Sequence, residues 1–130
     1  MADRPGIIES IFRKGAPDVQ ARQHQVDGVH ACLLAATAAN SKADGARAAC
    51  LCQHATGSGK SLTIAALATA LVFEGRGEDT TVPQSPASFA LILVLNDRIQ
   101  LDEQITSQGC TFLMRNGVPE ERICKAQSVA

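Results

Sequence analysis

The sequence predicts an α/β fold: a parallel sheet flanked by helices, incomplete on its C-terminal side. Three observations predict it. Two short apolar runs, Ala48 to Gln53 and Phe89 to Leu95, read as strands buried on both faces. Segments with helical periodicity lie before and after the first run. A glycine-rich turn joins that run to the second of these segments, so strand, loop and helix follow one another directly. Alternation of this kind sets strands side by side with helices packed over them.

Each element has its own signal. Residues 1–16 read as an N-terminal extension and 17–130 as one partial domain. Met1 to Gly15 has no apolar core of the kind a secretory signal carries. Pro17-Asp18 opens the first expected helix. Val26, Val29, Leu33 and Thr37 recur along it at helical spacing, and Asn40 and Ser41 end it. Ser41 to Arg47 is a polar connector. After the first strand and the turn, a helix runs to about Glu74 and is closed by Gly75. Gly75 to Ala87 is rich in Gly, Asp, Thr, Pro and Ser and reads as a surface loop. Phe89 to Leu95 is the clearest buried strand. Asp97 caps a helix to about Ser107. Thr111 to Met114 and Ile123 to Ala126 read as short strands around a weak turn or helix at Pro119 to Arg122. There is no internal repeat and no low-complexity tract.

Bulk properties narrow the function. With 130 residues the chain makes one domain at most. A net charge of −1 gives no electrostatic surplus for nucleic acid, although a few local backbone contacts remain open to it. Phe12, Phe73, Phe89 and Phe112 are the aromatics, with no Trp or Tyr, so a base-stacking platform is not expected. The cysteines are Cys32, Cys50, Cys52, Cys110 and Cys124. Their odd number and irregular spacing read as reduced, buried thiols of an intracellular protein. Cys50 and Cys52, two apart in a strand-like run, share a face but lack the usual zinc-knuckle spacing. No stretch approaches the length of a membrane span. Cytoplasm or nucleus is the expected location.

The chemistry is concentrated in His54-Ala55-Thr56-Gly57-Ser58-Gly59-Lys60-Ser61. Gly57 and Gly59 permit backbone conformations closed to residues with a Cβ. The resulting curl turns consecutive N–H groups inward as a nest for phosphate oxygens. A helix starting there adds the positive end of its dipole. Lys60 can reach the β- and γ-phosphates, and the Ser61 hydroxyl can ligate Mg²⁺. With Gly at its average frequency, G-x-G-K-[ST] arises by chance in fewer than about one in a hundred chains of this length. The motif therefore specifies a nucleoside triphosphate and not the use made of it. A nucleotide-binding module without catalysis, or another phosphate-loop enzyme such as a small-molecule kinase or transporter ATPase, stays open. The full pattern G-x-x-x-x-G-K-[ST] wants Gly where this chain has His54.

Two further signals flank the loop. Arg22-Gln23-His24-Gln25 lies on the first helix, and a Gln amide can accept from adenine N6 and donate to N7. Asp97-Arg98-Ile99-Gln100-Leu101-Asp102-Glu103-Gln104 follows the carboxyl end of a strand, where ligands bind in open α/β sheets. Arg98 at a helix start opposes the local dipole, which suits a phosphate contact.

In this order the three blocks resemble superfamily 2 helicases and translocases. They are most similar to the helicase/UvrB N-terminal domain family and the motor subunit of type I restriction enzymes, whose members tolerate His at the position of His54. The resemblance covers roughly Gln20 to Gln104. It implies a RecA-like domain that binds ATP and Mg²⁺ and acts on DNA in preference to RNA, alongside the remainder of the motor or its partner subunits. It implies that Gln25 reads adenine and that Thr56, Gly57, Ser58 and Gly59 cradle phosphate. It implies that Lys60 serves catalysis by neutralising β/γ charge, that Ser61 holds Mg²⁺, and that Arg98 sits near the nucleic-acid backbone. Gln104 would fix its helix. Hydrolysis in this family also needs an apolar strand ending in D-E-x-H, one acid for Mg²⁺ and one for water. Asp102-Glu103, Glu78-Asp79 and Glu120-Glu121 do not follow such a strand. The family's next motifs would begin about where the chain stops, so it reads as a partial domain with little or no hydrolysis of its own.

Overall fold

A computed structural model describes residues 5–40, 49–54, 59–73, 89, 91–95 and 99–124. Helix α1 spans Pro5–Gly15, α2 Gln23–Asn40, α3 Lys60–Phe73 and α4 Ile99–Arg115, and a single 3₁₀ turn covers Glu120–Arg122. Helix α3 is the central element and packs against the other three. Its sequence explains this. It is apolar nearly all round, as a helix enclosed by neighbours must be. Its buried positions are small: Ala65, Ala66, Ala68, Thr69 and Ala70. Small side chains let adjacent helices approach closely. The one buried hydroxyl among them is satisfied, Thr69 Oγ1 donating to the Ala65 carbonyl at 2.8 Å.

Around α3 the core is filled by Ile8, Ile11 and Phe12 of α1, Val26 and Val29 of α2, and Phe112 of α4. Phe12 and Phe112 meet edge to face with ring centroids 6.1 Å apart, a favoured geometry for aromatic pairs. Polar ties join the same two helices. Asn116 Nδ2 donates to the Ile11 carbonyl at 3.1 Å and Arg115 Nη1 to the Gly15 carbonyl at 3.2 Å. The second occupies a carbonyl at the end of α1 that the helix itself would leave unpaired. Helix α4 ends at Arg115 and is closed two residues on by Gly117, whose φ of 95° is open to glycine at little cost. The Gly117 N–H bonds the Met114 carbonyl and the Val118 N–H bonds the Leu113 carbonyl. This is a Schellman closure, and Val118 is buried beneath it.

The expected parallel sheet is overturned: among the described residues there is no strand, and the fold is helical. Residues 49–53 and 91–95 form no ladder, and no backbone hydrogen bond joins them. Leu51 is 92% exposed, and Leu91 and Leu95 are each 81% exposed. A strand cannot satisfy its own N–H and C=O groups, whereas a helix can. Without a paired neighbour, an apolar run has no ladder to enter.

Other boundaries move as well. Thr111 to Met114 belongs to α4, because Phe112 gains more by burial against Phe12 and α3 than local strand preference offers. Ile123 and Cys124 are likewise outside any strand. Helix α2 starts at Gln23, six residues after Pro17. Helix α1 occupies the segment read as an N-terminal extension, and Ile8, Ile11 and Phe12 carry the helical i, i+3, i+4 spacing. Expectations for the 41–47 connector, Thr56, Gly57, Ser58, the 75–87 loop, Asp97, Arg98 and residues 125–126 lie outside the described residues. None of the described helices is long and apolar enough to cross a membrane.

Candidate nucleotide site

Helix α2 acts as a rack for the chain that leads into the glycine loop. Among the described residues between positions 50 and 59, four contact it, the earlier ones near its middle and the later ones near its N-terminus. Cys50 and Cys52 meet Cys32, His54 meets Gly28 and His24, and Gly59 meets Gln25. His54 stands where the general phosphate-loop pattern has glycine, and its side chain is used here. The His54 and His24 rings cross edge to face at 4.8 Å. A Cβ at Gly28 would sit 3.3 Å from His54 Cε1, so the helix surface is bare where the imidazole lies.

Gln25 makes the decisive contact. It is only 2% exposed. Its Oε1 accepts from the Arg22 backbone N–H at 2.9 Å. That bond is half of a capping box, in which a third-position side chain reaches back to the residue before the helix. Its Nε2 donates to the Gly59 carbonyl at 3.0 Å. One amide therefore closes the first turn of α2 and grips the last glycine of the loop, 34 residues away. The Gly59 carbonyl also accepts from the Thr63 N–H and the Thr63 Oγ1, both at 3.1 Å, which starts α3. Gly59 has φ 84°, and a Cβ there would run into Gln25 Nε2. Glycine is required on both counts.

Lys60 and Ser61 are the first two residues of α3, Lys60 exposed and Ser61 half-buried. The N–H groups of Lys60, Ser61 and Leu62 find no acceptor among the described residues. First-turn donors of this kind, with a lysine beside them, suit an anionic ligand. The Ser61 hydroxyl and Lys60 thus fit a Mg²⁺-triphosphate by the chemistry of the donor set. Among the expected site residues, the structure brings together Gln25, Gly59, Lys60 and Ser61. Asp102-Glu103 lies within α4.

The family profile for SWI2/SNF2 ATPase matches residues 24–127. The chain belongs to the SWI2/SNF2 ATPase family. It is thereby a superfamily 2 helicase-type ATPase domain, with ATP use implied by its membership. No curated protein and no solved structure matches this SWI2/SNF2 ATPase chain.

The cysteines depart from expectation. Cys50, Cys52 and Cys124 are exposed, and Cys32 and Cys110 are half-buried. The shared face of Cys50 and Cys52 holds: Cys32 Sγ lies 3.4 Å from Cys50 Sγ and 3.3 Å from Cys52 Sγ. Partial burial, followed by these two sulfur neighbours, pushes the Cys32 thiol from an ordinary 9.0 up to about 12. A raised value keeps the proton on, so Cys32 holds less thiolate than an ordinary thiol at neutral pH. In metal-free, reduced protein, Cys32 should react with iodoacetamide at pH 8 more slowly than the exposed Cys124. Peptide mapping after timed quenching measures it.

Proposed function

We propose that this chain is the ATP-binding part of an ATP-dependent DNA translocase of the type I restriction kind. The observation that carries the reading is the Gln25–Gly59 hydrogen bond. It couples an adenine-selective type of side chain to the phosphate loop through one amide. In this reading the first turn of α3 receives the phosphates. The N–H groups of Lys60, Ser61 and Leu62 and the Lys60 ammonium offset their charge, and Ser61 orients Mg²⁺. Thr56, Gly57 and Ser58 complete the cradle. Gln25 is buried and held at both ends of its amide, so in this reading it meets adenine when the amide turns from Gly59 to the base. Arg98 contacts the DNA backbone. Bound Mg²⁺ supplies charge neutralisation at the β/γ oxygens. No apolar run ending in D-E-x-H occurs in the sequence, so the chain binds ATP and turns over little or none of it alone.

The test is titration with a fluorescent ATP analogue in Mg²⁺. Lys60→Ala removes a charge-assisted phosphate contact of roughly 1.5–3 kcal/mol and should weaken binding about tenfold to a hundredfold. Equal affinity in parent and variant would remove the loop from the site. Gln25→Ala should erode the preference for ATP over GTP, and an unchanged ratio would remove Gln25 from base recognition.

A further inference from the structure

Three thiols from two separate parts of the chain converge on one point. Cys32 comes from the middle of α2, and Cys50 and Cys52 come from the run that leads to the loop. The three sulfur atoms lie within 4.8 Å of one another. Two of the separations are 3.3 and 3.4 Å. Sulfurs held at about 2.3 Å around one tetrahedral zinc ion stand about 3.8 Å apart, and the observed separations, 3.3 and 3.4 Å with the third within 4.8 Å, bracket that value.

Apolar packing does not account for the cluster. Thiols that behave as small hydrophobes are buried, yet Cys50 and Cys52 are exposed and Cys32 is half-buried. The spacing explains why the two loop-side sulfurs arrive together. Residues two apart in an extended run face the same way, and Leu51 between them points into solvent. His54 lies alongside: its Nε2 and the Cys52 Sγ are 3.5 and 3.9 Å from the place a Gly28 Cβ would occupy.

We propose that Cys32, Cys50 and Cys52 form a trithiolate site for a soft divalent cation of the zinc class, with the fourth position open to solvent. Soft thiolate sets select such ions over Mg²⁺ and Ca²⁺, which take oxygen. Each thiol gives up its proton to solvent as its sulfur bonds the metal, so up to three protons leave per ion bound. The ion staples the run before the loop to the middle of α2, about two helical turns beyond Gln25. The site is independent of the Mg²⁺ that accompanies ATP.

The experiment adds Co²⁺, a spectroscopic substitute for zinc, to the fully reduced chain. The expected result is a thiolate-to-cobalt charge-transfer absorption that saturates at one ion per chain and is displaced by Zn²⁺. Cys32→Ser and Cys52→Ser should abolish it, and Cys110→Ser should keep it. No charge-transfer band, or a band that survives in Cys32→Ser, would overturn the site. A second measurement needs no variant. Saturating Zn²⁺ should slow alkylation of Cys50 and Cys52 in the parent chain by at least about tenfold, with Cys124 unaffected. Equal rates at all three with and without Zn²⁺ would also overturn it. Neither readout involves nucleotide, so failure here leaves the ATP reading standing.

Discussion

The helical core and the two apolar runs draw on the same residue types and reach opposite ends. Phe112 on α4 is 1% exposed, whereas Leu91 and Leu95 are each 81% exposed. Hydrophobicity gives all of them the same reason to be buried. What differs is the backbone. Helices α1 to α4 satisfy their own N–H and C=O groups and then bring an apolar face to a neighbour. An extended run must find a partner for its backbone before burial can reward its side chains. The run at 50–54 shows an intermediate outcome. It finds α2 through sulfur and imidazole contacts, and Leu51 stays outside.

The sharpest way to break the comparison is to remove the core aromatic. Phe112→Ala should cost about 3–5 kcal/mol, as deletion of a buried ring does. Urea unfolding followed by circular dichroism measures it. A loss under about 1 kcal/mol would mean that the α1–α3–α4 contact is not the centre of stability. Gln25→Ala comes next. It removes the Oε1 acceptor from the Arg22 N–H and one donor from the Gly59 carbonyl, and should cost about 1–3 kcal/mol. Gln25→Glu keeps the acceptor to Arg22 and loses the donor to Gly59, so it should recover part of that loss in the same assay. The smallest effect belongs to the exposed run. Leu91→Ser with Leu95→Ser should change stability by no more than about 0.5 kcal/mol. The pair should instead lower the binding of a dye that reports exposed apolar surface. A stability loss matching that of Phe112→Ala would show that the two regions do not differ in kind.

The sequence disclosed what is local. The Val26, Val29, Leu33 stripe placed α2, and its end at Asn40 was readable from the turn residues that follow. The start of α3 was readable because Gly59-Lys60-Ser61 is a loop-to-helix signature with a physical cause. What the sequence concealed depends on partners. Residues 49–53 and 91–95 have strand composition, and composition cannot say whether a neighbouring strand is present. Phe112 sits in a Thr-Phe-Leu-Met stretch that local preference assigns to a strand, and only its packing on Phe12 makes it helical. Helix α1 is legible in the i, i+3, i+4 spacing of Ile8, Ile11 and Phe12, although the segment also reads as an extension. At the site, Gln25, Gly59, Lys60 and Ser61 were named from motif alone. The meeting of Cys32 with Cys50 and Cys52 was not readable, because it depends on how residues 18 and 20 positions apart are folded together.

The double engagement of Gln25 has a kinetic corollary. Its Oε1 shields the Arg22 amide proton while its Nε2 holds Gly59. A ligand that competes for this amide uncovers that proton in the same act. Hydrogen exchange at Arg22 thus becomes a clock for events at the loop. It should quicken when Gln25 lets go of Gly59 and slow when it takes hold again.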